Sequence, residues 1–156
     1  MDFLSIASTA ANLLSATIQV LRTTYTYGMG IKSPAEDITR LIHELKLIRK
    51  QLGDLENLAL RLASTQDSKP SEFENSQDLD QAFKLCYRTL ENLFKALYVN
   101  DTAKKPLGDM LTPFKSNESS NDRTVWPISK VETRHTITKF RVIKGFIGTF
   151  VSTCEM

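Results

Sequence analysis

The chain has 156 residues, 41% hydrophobic and 24% charged, with 20 Lys+Arg against 18 Asp+Glu; a single domain of this size can bury roughly 70% of its unfolded surface, so a core needs neither metal nor disulfide. A formal charge of +2 is too small to gather phosphate backbones and argues against a nucleic-acid partner. The two cysteines, Cys86 and Cys154, make no disulfide framework and fit a reducing, intracellular and cytoplasmic setting.

Phe3 to Leu21 carries no charge and nearly reaches the about 20 residues that a bilayer-spanning helix needs. Ser5, Ser8, Thr9, Asn12, Ser15, Thr17 and Gln19 interrupt it, and Asp2 in place of a basic leader argues against a signal peptide. The sequons at Asn100 and Asn117 are accordingly read as chance. Apolar or small residues at Phe3, Ala7, Ala10, Leu14, Ile18, Leu21 and Tyr25 recur every three or four positions, which predicts a helix near 3–26 closed by Gly28 and Gly30. Ala7, Ala11 and Ser15 stand four apart, so another helix or a second copy could approach closely.

Ser33-Pro34-Ala35-Glu36 is a capping box with proline where its missing N–H costs nothing. Behind it Ile38, Leu41, Leu45, Ile48, Leu52, Leu55, Ala59 and Leu62 alternate steps of three and four, predicting a helix over 33–63 with one buried seam. Its charges, Glu36, Asp37, Glu44, Asp54 and Glu56 against Arg40, Lys46, Arg49, Lys50 and Arg61, read as a solvated outer face. A polar loop near 64–76 precedes a third helix near 77–99, with Leu79, Phe83, Cys86, Leu90, Leu93 and Leu97 on its stripe and Asn100-Asp101 as its stop. A second loop near 102–128 includes a short helix near Leu107 to Leu111, and Trp126-Pro127 plugs the bundle end. In the last segment Val131, Thr133, Thr136, Thr138 and Val142 favour a strand. The recurrence of Ile137, Phe140, Ile143, Phe146 or Ile147 and Phe150, behind the capping box Ser129-Lys130-Val131-Glu132, favours a helix over 130–151 instead.

Chemistry is hard to build from these residues. Gly28-Met29-Gly30-Ile31-Lys32-Ser33 lacks the Gly-Lys step and the preceding strand of a phosphate loop. His43-Glu44 begins like a zinc-protease helix, but Leu47 stands where the second imidazole belongs. His43 and His135, the only histidines, fall on separate helices, so no nucleophilic triad is evident. The expectation is no catalytic residue, no metal, no cofactor, no small-molecule substrate and no enzyme. Two segments are left as candidates. The uncharged N-terminal stretch, Phe3, Leu4, Ile6, Ala7, Ala11, Leu14, Ser15 and Ile18, is either plain core or a membrane or self-association segment. The basic set Lys130, Arg134, Lys139, Arg141 and Lys144 is either a bundle face or an amphipathic surface for acidic lipid or a protein partner.

The opening Met1-Asp2-Phe3-Leu4-Ser5-Ile6-Ala7-Ser8, Leu13-Leu14 and Leu21, the Ser33-Pro34-Ala35-Glu36 start with its Leu/Ile seam, and Trp126-Pro127 before a capped helix resemble the HeLo-like N-terminal domain of fungal STAND proteins. The same domain is named for the azaphilone pigment biosynthesis cluster protein L. The resemblance spans about residues 1 to 151 and implies an all-helical bundle related to cell-death effectors and signalling adaptors of NOD-like receptors. Because the chain stops at Cys154-Glu155-Met156, it is expected to work in trans or in an accessory role. The sequence therefore predicts one all-α up-and-down bundle of four main helices over residues 1–156. Its predicted role is non-catalytic, through a protein partner or self-association, with recruitment to membrane lipid as the alternative.

Overall fold

The computed structural model describes residues 2–29, 36–64, 76–104 and 126–155. Four helices occupy nearly all of them: α1 (Phe3–Met29), α2 (Glu36–Ala63), α3 (Ser76–Lys104) and α4 (Lys130–Glu155). The all-α bundle expected from periodicity is what forms. The Ser33 capping box, Gly30, the short helix near Leu107 and most of the two loops lie outside the described residues. At the start of α1, Asp2 Oδ1 accepts the Ser5 N–H at 2.7 Å, and that bond holds the Asp2 carboxyl below its ordinary pKa. Ser129 Oγ accepts the Glu132 N–H at 3.1 Å, as its capping box requires. Asn100-Asp101 does not stop α3, whose backbone runs on to Lys104; Asn and Asp lower helix propensity without forbidding it.

The threonines explain how α4 stays helical against its propensity. Thr133, Thr136, Thr138, Thr149 and Thr153 each donate their hydroxyl to the carbonyl four residues back, at 2.9 to 3.0 Å. A β-branched residue that satisfies its hydroxyl inside the helix loses much of its reason to leave it.

Packing sets an order around the bundle that differs from chain order. α1 lies against α2 and α3, and α4 lies against the same two, so α1/α4 and α2/α3 are the diagonals. A Cβ on Gly28, at the end of α1, would sit 3.2 Å from Ile42 Cδ1 near the start of α2; α1 and α2 are antiparallel, and glycine permits their close approach. α2 and α4 are parallel, because Asp37 meets Arg134 and Glu44 meets Arg141 at one constant offset of 97. α1 and α3 are parallel too: Thr9 shares a cleft with Asp80, and Tyr27 Oη donates to the Leu97 carbonyl at 3.2 Å. Direction therefore alternates along the chain, while the α2 to α3 connection crosses the diagonal.

The core joins the predicted seams of α2, α3 and α4, with Leu41, Leu45, Ile48, Leu52, Leu55, Cys86, Leu90, Leu97, Phe140, Ile143 and Ile147 fully or almost fully buried. Ile147, not Phe146, takes the contested inward position of α4. On α1 the predicted stripe needs correcting. Phe3, Ala7, Ala10 and Leu21 are buried, but Ile18 and Tyr25 are exposed, and Thr17 and Thr24 hold their places in the core beside Leu13 and Val20. The inward series runs 3, 10, 17, 24; the stripe read from hydropathy follows it at 3 and 10 and then slips by one position, to 18 and 25. Threonine fits inside because Thr17 Oγ1 donates to the Leu13 carbonyl at 2.7 Å and Thr24 Oγ1 to that of Val20 at 2.8 Å, which removes most of the cost of burying a hydroxyl.

Trp126 closes one end of the bundle, as its place before Pro127 suggests. Its indole N–H donates to Thr133 Oγ1 at 2.9 Å, and its ring meets Tyr27 edge-on at 6.2 Å between centroids. One cluster thereby ties the ends of α1 and α3 to the start of α4.

Candidate functional site

The N-terminal candidate divides between two environments. Phe3, Ile6 and Ala7 point into the core, Ala11 and Leu14 are half-buried, and Leu4, Ser15 and Ile18 face out. Leu4 is 63% exposed, Ile18 36% and Tyr25 47%, and the seven-residue spacing of Leu4, Ala11, Ile18 and Tyr25 aligns them along one outer flank of α1. The single charge within the helix is Arg22, and it has no ion-pair partner among the described residues. By length and apolarity alone Phe3–Gly28 is long enough to cross a membrane, with mean hydropathy 1.4 over its most apolar window. Core helices of soluble bundles meet the same criterion.

The basic candidate also divides. Lys130 and Lys139 face outward, but Arg134, Arg141 and Lys144 turn toward carboxylates on α2. Arg134 Nε donates to Asp37 Oδ2 at 3.1 Å, Arg141 Nε lies 3.4 Å from Glu44 Oε1, and Lys144 Nζ lies 2.6 Å from Glu44 Oε2. One turn-pair further, Gln51 Nε2 donates to the Lys144 carbonyl at 3.0 Å, above Gly148, where a Cβ would stand 3.4 Å away. The expected solvated charge face on α2 is corrected here: Asp37 and Glu44 are buried. Composition could not separate them from Glu36 or Asp54. The usable signal was register, since positions 37, 44 and 51 repeat every seven residues on the edge of the apolar seam, as an inter-helix ladder does.

Between α1 and α3 the packing leaves an open cleft of about 590 Å³ lined by Thr9, Asn12 and Leu13 on one wall and Asp80, Phe83, Lys84, Tyr87, Arg88, Glu91 and Asn92 on the other. Its charges cancel along the α3 wall, Asp80 and Glu91 against Lys84 and Arg88; Lys84 pairs with Asp80 at 3.0 Å, and Lys95, one turn past Glu91, pairs with Glu91 at 2.7 Å. The Lys95 ammonium draws the Glu91 carboxyl below its ordinary pKa. A smaller cleft of about 330 Å³ between α3 and α4 holds Glu132, His135 and Lys139. Cys86 is buried, and desolvation pushes its thiol up to about 12, which leaves it protonated and unreactive at neutral pH. Among the described residues no three or more His, Cys, Asp or Glu gather as a metal site would require.

Fold and surfaces together define the class, an all-α bundle of four helices among the described residues, whose α1 exposes an uncharged flank. No protein-family model, curated protein or solved structure matches the chain.

Proposed function

We propose that this chain is a non-catalytic helical interaction protein, a HeLo-like domain that works through helix-to-helix contact as an accessory or regulator, in the setting of an azaphilone pigment biosynthesis cluster. One observation carries the interaction reading: α1 faces solvent with Leu4, Ile18 and Tyr25 on a flank uncharged from Phe3 to Leu21, while its opposite face is core. Apolar side chains aligned on one helix face are the anchors of helix-in-groove and helix-pairing recognition. The test replaces Leu4, Ile18 and Tyr25 together by serine, which leaves the buried face intact. Loss of complex formation with proteins encoded beside it, in a variant that keeps wild-type helicity by circular dichroism, supports the reading. Undiminished complexes refute it.

A second reading has a specific observation in its favour, the length and apolarity of Phe3–Gly28. On it the chain is a membrane-acting cell-death effector or signalling adaptor recruited to anionic lipid by α1. Because Phe3, Ile6, Ala10 and Leu13 are part of the core, α1 would have to leave the bundle to expose its whole circumference to lipid. Deleting α1 would unmake the core, so the informative comparison is between the full chain and Ile18→Glu. Leakage of anionic vesicles by the first and not the second makes this reading primary.

A further inference from the structure

The open cleft between α1 and α3 holds one charge that its own walls leave unanswered. Asp80 is taken by Lys84, and Glu91 by Lys95 and by the Tyr87 hydroxyl, so Arg88 lines the cleft with no ion-pair partner among the described residues. Phe83 and Tyr87, four apart on α3, are neighbours on its surface, and Leu13 completes the apolar lining from α1. Leu13 and Phe83 are buried, whereas Tyr87 is 59% exposed and leaves much of its ring uncovered. We propose that this cleft binds a small aromatic monocarboxylate, its ring system on Leu13, Phe83 and Tyr87 and its carboxylate on Arg88, with the Asn12 and Asn92 amides as further hydrogen-bond donors. Size selects a small molecule over a partner helix. The volume of about 590 Å³ falls within the roughly 300–1,000 Å³ of small-ligand clefts, yet equals only about five residues of a helix 10 Å across. The α1 wall, from Thr9 to Leu13, is about one turn long, too short to flank a docked helix. Charge selects the monoanion. A guanidinium takes a carboxylate through two parallel hydrogen bonds, while a second negative group would face Asp80 and Glu91, and an amine would meet Lys84 and Arg88. Thr9 stands nine residues from Ile18, which places it on the opposite side of α1, so this site is separate from the apolar flank and independent of the interaction reading.

Titration of the full chain with naphthalene carboxylate, and with naphthylmethanol as its neutral counterpart, tests this by calorimetry and amide NMR. The carboxylate should bind, shift the amides of α1 near Thr9 to Leu13 and of α3 from Asp80 to Asn92, and raise the thermal midpoint, because it binds the folded chain alone. Arg88→Gln should weaken the carboxylate about fivefold, the upper end for an exposed ion pair, and leave the more weakly bound alcohol unchanged. Added salt should weaken the carboxylate and not the alcohol. Asn12→Trp, at an exposed position, fills the cleft and should abolish binding of both in a chain that keeps wild-type helicity. Ile18→Glu, on the far side of α1, should change neither. The alcohol binding as tightly as the carboxylate, an Arg88→Gln chain that keeps full carboxylate affinity, or shifts centred on other helices each overturns the proposal. So does the absence of binding by the folded chain at millimolar carboxylate.

Discussion

The bundle contains two parallel helix pairs, and they are joined in opposite ways. Between α2 and α4 a ladder repeats every seven residues, with Asp37 on Arg134, Glu44 on Arg141 and Lys144, and Gln51 on a backbone carbonyl. Between α1 and α3 the helices part into an open cleft, and they meet closely where Tyr27 reaches the Leu97 carbonyl. Parallel neighbours gain nothing from dipole alignment, so such a pair holds through side chains or not at all. α2/α4 spends carboxylates on the contact, whereas the charged residues of α3 pair with one another along their own helix. The contrast predicts that the bundle opens first between α1 and α3 and holds between α2 and α4.

Substitutions can break that contrast. Phe140, fully buried on α4, should cost about 3–5 kcal/mol when replaced by alanine, read from denaturant midpoints. Phe83 borders the cleft, where water can fill the space left behind, so Phe83→Ala should fall at or below the low end of that range. Equal costs would mean the cleft is closed in solution. Next in size, Glu44→Ala should cost about 1–3 kcal/mol, because a buried carboxylate is lost from two cations, and half-exposed Arg141 keeps the figure below that of a fully buried pair. High salt should change this little, while Lys95→Ala, which removes the exposed Glu91 pair on α3, should cost far less and lose that small cost as salt rises.

Glycine substitutions sharpen the picture. Gly53→Ala meets nothing within 4 Å and should stabilise by up to about 1 kcal/mol; Gly28→Ala should give no net gain, since its Cβ presses on Ile42 at 3.2 Å. The smallest effect is acid sensitivity at the open side. Asp2 and Glu91 have carboxyls held below their ordinary pKa, by the Ser5 amide and by Lys95 respectively. Each therefore stabilises the fold above its unfolded pKa and loses that contribution as pH falls through its folded one. Hydrogen exchange in mild acid should rise first in α1 and α3, and a uniform rise along all four helices would erase the distinction.

Much of the fold was legible because it rests on local rules. The seams of α2 and α3 read correctly since every position from Ile38 to Ala59 and from Leu79 to Leu97 on those stripes is apolar. The capping box at Ser129 announced α4 against its strand propensity. α1 misled because Thr17 and Thr24 look polar until their hydroxyls are seen bonding to their own helix, and Ile18 and Tyr25 look like core until their exposure is seen. The candidate surfaces were half legible. Lys130 and Lys139 look no different in sequence from Arg134, Arg141 and Lys144, and only the α2 carboxylates opposite them tell the groups apart.

The sequence by itself determined the described helices, the apolar seams of α2, α3 and α4 and the cap at Ser129, because each follows from side-chain spacing within one segment. Only the tertiary structure decided which helices are neighbours, that α2 to α3 crosses the diagonal, which charges are buried in pairs, and which flank of α1 meets the solvent. Those depend on contacts between residues some seventy to a hundred positions apart, where no local spacing rule reaches.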